Sequence, residues 1–473
     1  MFMGIVEKMD PIFNLLPEVR LPEVKPAINK RLLWTAAVLV LFFAMGRVNV
    51  IGIDLAQSAG GQLQTFQLIL ASNIGTLITV GIGPIVLSSI ILQLLVGTKI
   101  ITMDLTNPES KKRFTSLQKL LAILLCIFEA FVYTFSGLVV AVPGMFVWVV
   151  LQITIGSILL LYLDEVVSKY GIGSGISMFI AGGVAADIFW RIFNPLDISR
   201  NFNLGEAQGL LFLIARSVMS GQMAETFIYL LPIIFTILVF LVVVFAEGIH
   251  VNIPITMGRK GAMSRYPVKL LYVSNIPVIL AAAFFANIRL WSLLAKDVPV
   301  LGFALSGLSE IVNSPSRLIE SMLLQGVSLN IFSEMAESVV RLQFIGIGGE
   351  LIHGILYLLL LTVFCVIFGV LWIEMAGQGP EAVAAQLDKA GMSIPGFRRD
   401  PRIVRKVLDR YIPPISIMGS IFVGMLAGLA DLTGALGTGT GILLTVGIVY
   451  RLYEELARLQ LMDMHPMLSK LFG

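Results

Sequence analysis

The sequence predicts an all-α polytopic membrane protein, and three observations carry that prediction. Of its 473 residues, 57% are hydrophobic and only 13% are charged, whereas a soluble domain carries about 25% charged residues. The apolar residues come in blocks of roughly 20, the length that crosses about 30 Å of hydrocarbon as a helix. Finally, 25 of the 33 Lys and Arg residues fall in alternate connections if the N-terminus lies inside, the sidedness expected of cytoplasmic loops.

Blocks and breakers place ten spans in order: 32–50, 75–97, 117–141, 145–168, 175–193, 227–247, 268–292, 351–374, 412–430 and 439–459. The segment before them, 1–31, is polar and proline-rich, without the apolar core of a signal peptide. The stretch 55–98 is free of charge but too polar in its first part to be a second tight pair of spans. Arg31 and the Lys111-Lys112-Arg113 cluster both belong inside, so the chain crosses an even number of times between them. The first span takes one crossing, and residues 55–98 supply one more. The remainder enters from outside and returns, either as a re-entrant segment against a wet cavity or as a helix on the outer surface.

Spans 1–5 lie within 32–193 and spans 6–10 within 227–459, joined by an external connection at 194–226. Five is an odd number, so the first half begins inside, the second begins outside, and the halves have opposite orientation, as in many transport proteins. The second half carries cytoplasmic loops at 249–267 and 375–411 and an external loop at 293–350. Residues 460–473 form a cytoplasmic tail.

Two glycine-rich runs, YGIGSGISMFIAGG (170–183) and GALGTGTGILLTVG (434–447), lack the Lys-Ser or Lys-Thr of a phosphate-binding loop. They suit close helix packing. They also suit narrow pore-lining helices from which branched side chains project. Ile82 and Val86 in GIGPIV, and Ile176 and Ile180 in GISMFI, stand at i and i+4 and share a helix face. Such faces are either ordinary packing or a hydrophobic constriction that excludes water and ions. Glu129 sits mid-span in CIFEAFVYTF, where a carboxylate costs about 2.5–3.5 kcal/mol. Asp164, Glu165, Glu247 and Glu374 fall at span ends and read as interfacial. The cysteines, Cys126 and Cys365, lie in apolar blocks and read as packing residues.

No HExxH, G-x-S-x-G or histidine cluster is present, so no enzyme activity and no cofactor are expected. The basic stretches 249–269 and 394–414 serve topology, and equally suit anionic lipid or a polyanionic partner such as ribosomal RNA. No direct DNA binding is expected. An ion-coupled transporter of small solutes is the alternative function, but Glu129 is its one plausible coupling ligand. A scaffold for other subunits explains neither the re-entrant segment nor the aliphatic faces.

Taken together, LITVGIGPIVLSSIILQLLVG, YLDEVVSKYGIGSGI, KGAMSRYPVKLLYVSNIPVILAAAFFANIRLW, RYIPP and GALGTGTGILLTVGIVYRLYEEL resemble the SecY family, the large pore-forming subunits of the Sec protein translocase, in its archaeal and eukaryotic style. The resemblance covers almost the whole chain. It implies ten transmembrane helices in two inverted five-helix halves around a central pore, with a re-entrant plug helix at 55–72. It places a pore ring on Ile82, Val86, Ile176, Ile180, Ile279 and Leu444. It places a lateral gate mainly between the second and seventh spans, with polar positions at Glu129 and Asn275 and a third, often Thr, that is Leu87 here. It implies docking of a ribosome or cytosolic motor through Arg259, Lys260, Arg398 and Arg399, and partnership with small single-span subunits of the SecE/gamma and beta type. It further implies binding of signal sequences and nascent polypeptides, contact with membrane lipid, and a multi-pass location in the plasma membrane with both termini cytoplasmic.

Overall fold

The structure is a computed structural model that describes residues 11, 16–23, 26–54, 71–97, 101, 108–197, 202–257, 262–273, 275–295, 298–315, 346–389, 392–393 and 401–464. Among these residues, ten helices overlie the ten expected spans. They are α1 (Ile28–Met45), α2 (Gly83–Gly97), α3 (Pro108–Phe135), α4 (Phe146–Tyr170) and α5 (Gly175–Phe193), then α7 (Met223–Gly248), α8 (Ile276–Leu294), α10 (Gly346–Met375), α12 (Pro401–Leu432) and α13 (Gly439–Met464). Three shorter helices sit in the connections: α6 (Leu210–Met219), α9 (Pro299–Ile311) and α11 (Pro380–Lys389). Seven of the helices meet both the length and the apolarity needed to cross a bilayer by themselves. The polypeptide is thus a helical polytopic membrane protein.

Two spans are shorter than the sequence reading placed them, for one reason. Residues 75–97 and 268–292 both run through a proline, and each proline starts the helix. Pro84 is the second residue of α2, and Pro277 is the second residue of α8. Proline lacks the N–H that a helix interior needs, but fits the first turn, where that donor has no partner. At 15 residues, α2 is about 22 Å long, so its approach segment lies at membrane depth as non-helical backbone.

The loop 249–267 is also a correction, because it is folded. β1 (His250–Met257) and β2 (Ala262–Lys269) form an antiparallel hairpin in register from His250 opposite Lys269 to Met257 opposite Ala262. β3 (Met392–Ser393) pairs with the other edge of β1 and gives the order β2-β1-β3. The alternation of β-branched Val251, Ile253 and Ile255 is the period-2 signal for a strand. Helices α11 and α12 close a small core beneath this sheet around Ile253, Val268, Leu387 and Leu408.

The long helices pack as two groups. Helices α1 to α5 contact one another through α2–α3, α3–α4, α1–α4, α4–α5 and α1–α5; α7, α8, α10, α12 and α13 do so chiefly through α10–α12, α8–α10, α7–α13 and α12–α13. The groups meet along two seams, with α2 and α3 against α8 and α10 on one side and α5 and α1 against α13 on the other.

Small residues let α10 and α12 pack closely. Ser416, Ser420, Gly424 and Gly428 recur every four residues along α12, a small-xxx-small stripe. A Cβ on Gly424 would lie 2.8 Å from the Thr362 Cα and 3.2 Å from the Cys365 Cβ. Phenylalanines then fasten α10 to α8, with Phe284 and Phe364 ring centroids 5.0 Å apart and Phe285 edge-on to Phe364 at 5.6 Å. Both cysteines are buried thiols, as the sequence suggested. We expect Gly424→Val to destabilise the detergent-solubilised protein by about 1–3 kcal/mol through overpacking, read as a lower thermal midpoint; an unchanged midpoint would show that the seam is looser than these distances.

Candidate functional site

The six aliphatic side chains named from the sequence come from four places in the chain, and all of them belong to or pack against one hydrophobic core. Ile82, Val86, Ile180 and Leu444 are at most 5% exposed and belong to the main hydrophobic core, and Ile176 and Ile279 pack against it half-buried. Ile82 precedes the first residue of α2, yet it stays in register with that helix because its carbonyl accepts hydrogen bonds from Ile85 and Val86, both at 3.1 Å. The i, i+4 argument for Ile82 and Val86 therefore survives the shorter helix. Ile176 and Ile180 occupy the first two turns of α5, Ile279 the first turn of α8, and Leu444 the second turn of α13.

The approach to Ile82 is built from turns. Residues 76, 78, 79, 80 and 82 are all buried, and hydrogen bonds within the protein serve the backbone of this stretch. Leu77 donates to the Val48 carbonyl at 3.0 Å and Val50 donates to that of Gly75 at 3.0 Å. The Asn73 amide donates to the Gly46 carbonyl at 2.8 Å, and the Thr79 hydroxyl accepts from Gly75 N–H at 3.1 Å. Helix α4 lies directly on this segment: a Cβ on Gly156 would sit 1.9 Å from the Leu77 carbonyl oxygen. Of the expected plug, 55–72, residues 55–70 lie outside the described residues; Ala71, at φ 47°, and Ser72 lead into the turns.

The expected gate residues fall on three elements. Leu87 on α2, Glu129 on α3 and Asn275 at the start of α8 are all buried. Among the described residues neither carboxylate oxygen of Glu129 has a hydrogen-bond partner. Asn275 is committed elsewhere: its amide donates to the Leu443 carbonyl on α13 at 3.0 Å. It can lie there because position 447 is glycine, whose Cβ would be 1.7 Å from the Asn275 Nδ2. Asn275 thus joins two helices of its own group and aligns the residue beside Leu444. Arg259, Lys260, Arg398 and Arg399 lie outside the described residues.

One side chain at a span end has partners that its position alone does not reveal. Asp164, expected to be interfacial, accepts from the backbone N–H of Ile176 at 2.9 Å and from the Ser174 hydroxyl at 3.4 Å. An acid at the C-terminal end of a helix opposes the helix dipole, so its position near the end of α4 was the available signal that it served another partner. Glu165 next to it is paired with Lys119 and Lys169, both at 2.8 Å. Among the described residues no group of His, Cys, Asp and Glu could hold a metal ion.

Two groups of long helices share one aliphatic core, into which a non-helical approach segment is buried before α2. The SecY family model matches residues 76–453. The chain is 44% identical to the protein translocase subunit SecY of Methanothermobacter thermautotrophicus and 43% identical to that of Methanocaldococcus jannaschii, covering 99% of this chain in each case and 99% and 100% of those proteins. Among solved structures, one described as a protein-conducting channel superposes with a TM-score of 0.79 at 42% identity, over 96% of this chain and 98% of that one. Sec61 in a canine ribosome–channel complex gives 0.76 at 41% identity, with the same coverage. The chain belongs to the SecY family.

Gly447→Ala tests the seat of Asn275. The methyl displaces the amide, leaves a buried polar group unpaired, and is expected to cost about 1–3 kcal/mol. Amide exchange in the first turn of α8 should accelerate with it; unchanged exchange would show that Asn275 does not hold that turn.

Proposed function

We propose that this chain is the pore-forming subunit of a protein-conducting channel, which passes unfolded polypeptides across a membrane and releases apolar segments sideways into it. The observation that carries this reading is that six branched aliphatics, from four chain segments in both halves of the sequence, all belong to or pack against one hydrophobic core shared by the two helix groups. Family membership and the resemblance to protein-conducting channels favour it over an ion-coupled transporter, which would need midplane ligands beyond Glu129.

On this reading the halves, 32–193 and 227–459, are inverted relative to each other and part like a clamshell. Ile82, Val86, Ile176, Ile180, Ile279 and Leu444 form a ring that grips any extended chain without reading its sequence, because its contacts are non-directional. Closed, such a ring excludes water and with it ions. Residues 55–72 seat above it as a plug. The gate is the α2–α8 seam flanked by α3 and α10, where a signal segment exchanges water for lipid at about 25 cal/mol per Å². Leu87 and Glu129 face this event from one group, and Asn275 anchors the other.

Arg259, Lys260, Arg398 and Arg399 are the contacts proposed for a polyanionic partner, the ribosome, on the face that carries the β1–β2 hairpin; a cytosolic motor could use the same loops. Small single-span subunits of the SecE/gamma and beta type complete the complex. The protein resides in the plasma membrane with both termini in the cytoplasm. The chain makes and breaks no covalent bond, and the energy for transport comes from the partner.

Two variants of the reconstituted complex test the reading. Deleting 55–72, or replacing Ile82, Val86, Ile176 and Ile180 by Gly, should raise resting ion conductance while secretory polypeptides still crosslink along the path. A tight membrane in both variants, or no crosslink from a stalled chain to Ile279 and Leu444, would overturn it.

A further inference from the structure

The two glycine-rich runs, which a phosphate-binding role does not explain, are the same device built twice. In the first run Gly173, at φ 70°, and Ser174 lead to Gly175, the first residue of α5. In the second, Gly437, at φ 73°, and Thr438 lead to Gly439, the first residue of α13. Each turn meets an aspartate from the last two turns of the preceding helix. The Asp164 carboxylate takes the backbone N–H of Ile176 at 2.9 Å, with that of Gly175 also facing it. The Asp431 carboxylate takes the N–H of Gly439 at 2.7 Å, with that of Thr440 also facing it. In both cases the first and second residues of the new helix are capped by a carboxylate of the old one. The approach is equally tight in both: a Cβ on Gly175 would lie 2.5 Å from the Asp164 Cα, and one on Gly439 would lie 2.4 Å from the Asp431 nitrogen.

The helices so capped are the fifth and the tenth spans, and they carry Ile176, Ile180 and Leu444. Leu444 stands five residues past Gly439, about 7.5 Å along the axis. A capping carboxylate fixes where a helix begins, and a rigid helix then fixes the height of every side chain on it. The second cap is itself anchored, since the Tyr357 hydroxyl of α10 donates to Asp431 at 2.7 Å. α13 is therefore held at its start by Asp431 and, further along, by the Asn275 amide on the Leu443 carbonyl.

We infer that Asp164 and Asp431 are a matched pair of positioning residues, one in each half, that set the axial height of the aliphatic ring through the helices they cap. The inference rests on the ring assignment above. It goes beyond that assignment by naming what keeps the ring in register from both sides. Neither residue touches a passing polypeptide.

The test uses the full complex, reconstituted, with spin labels on exposed helix positions. The pair Leu159→Cys and Ala185→Cys reports α5 against α4, and the pair Val363→Cys and Val449→Cys reports α13 against α10. Asp164→Ala should broaden the first distance distribution and Asp431→Ala the second, with resting ion leak rising roughly 5- to 30-fold in each, the factor by which a change of about 1–2 kcal/mol shifts an equilibrium. Asp→Asn variants keep a side-chain carbonyl to accept from the helix and should restore most of the seal. In a background with Ile180→Gly and Leu444→Gly, the alanine variants should add no further leak.

Unchanged distances, full additivity, or an Asn variant as leaky as Ala would each overturn the inference. If the glycine ring variants themselves stay tight, the ring assignment falls, while the label distances still decide whether the aspartates position their helices. Should an alanine variant fail to assemble, Ser174→Ala and Tyr357→Phe remove one hydrogen bond from each carboxylate, and each should broaden its own pair alone; no broadening in either overturns the inference.

Discussion

The constraint on which the rest depends is the need to satisfy every backbone polar group of residues 73–82 inside the protein. A membrane interior offers no water to an exposed N–H or carbonyl, so non-helical backbone at that depth survives only when other protein groups meet its needs. Here the end of α1 supplies carbonyls at Gly46 and Val48, Thr79 and Asn73 supply side chains, and Gly156 lets α4 lie against the Leu77 carbonyl. With these bonds in place, the helix can start late, at Gly83 and Pro84, and Ile82 is delivered into the main hydrophobic core. A continuous helix from 75 would solve the hydrogen-bond problem more simply, but the positive φ of Gly81, 65°, breaks the ladder just before Ile82.

The polar ties described here bind helices within a group. Gln118 on α3 reaches Ser89 on α2 at 2.5 Å, Asn275 ties α8 to α13, Tyr357 ties α10 to α12, and the Thr236 hydroxyl of α7 accepts from Leu436 N–H in the α12–α13 turn at 2.9 Å. Each tie carries directional energy that resists deformation. The Phe284–Phe364–Phe285 contacts add to the stiffness of α8 and α10 as a pair. Motion that keeps each group intact and parts the seam between them leaves all of these bonds in place. That is the mechanical condition for a clamshell.

Much of the fold was legible because lipid imposes a coarse rule: length, apolarity and charge sidedness alone located all ten long helices. What was missed was local. Pro84 and Pro277 start helices that apolarity would extend upstream, and the alternation of Val251, Ile253 and Ile255 was overlooked inside a loop read for its charge. For the proposed ring, spacing pointed to Ile82, Val86, Ile176 and Ile180, since i and i+4 is a property of the chain. Ile279 and Leu444 needed the resemblance, because nothing within one helix says which face meets another half of the molecule. Asp164 and Asp431 were hidden for a related reason: their partners lie 11 to 12 and 8 to 9 residues ahead, across a turn whose geometry a single sequence does not display. The acid at a helix C-terminus and the following G-[S/T]-G were both visible, and only their conjunction carries meaning.

The residues proposed for the α2–α8 gate also pull in opposite directions, and this bears on how firmly it closes. Leu87 is buried and gains the transfer free energy of a leucine, about 1.5–3 kcal/mol, only while the seam is shut. Glu129, 2% exposed and without a partner among the described residues for either oxygen, is worst served in that same state, because an unpaired buried carboxyl forfeits its hydration. Parting the seam wets both. The two terms are of comparable size and opposite sign, so the closed state is favoured by less than its apolar packing alone suggests. An apolar segment that covers Leu87 while letting water or lipid headgroups reach Glu129 relieves the second without losing the first. On the function proposed above, the seam discriminates by hydrophobicity with no binding pocket for any particular sequence.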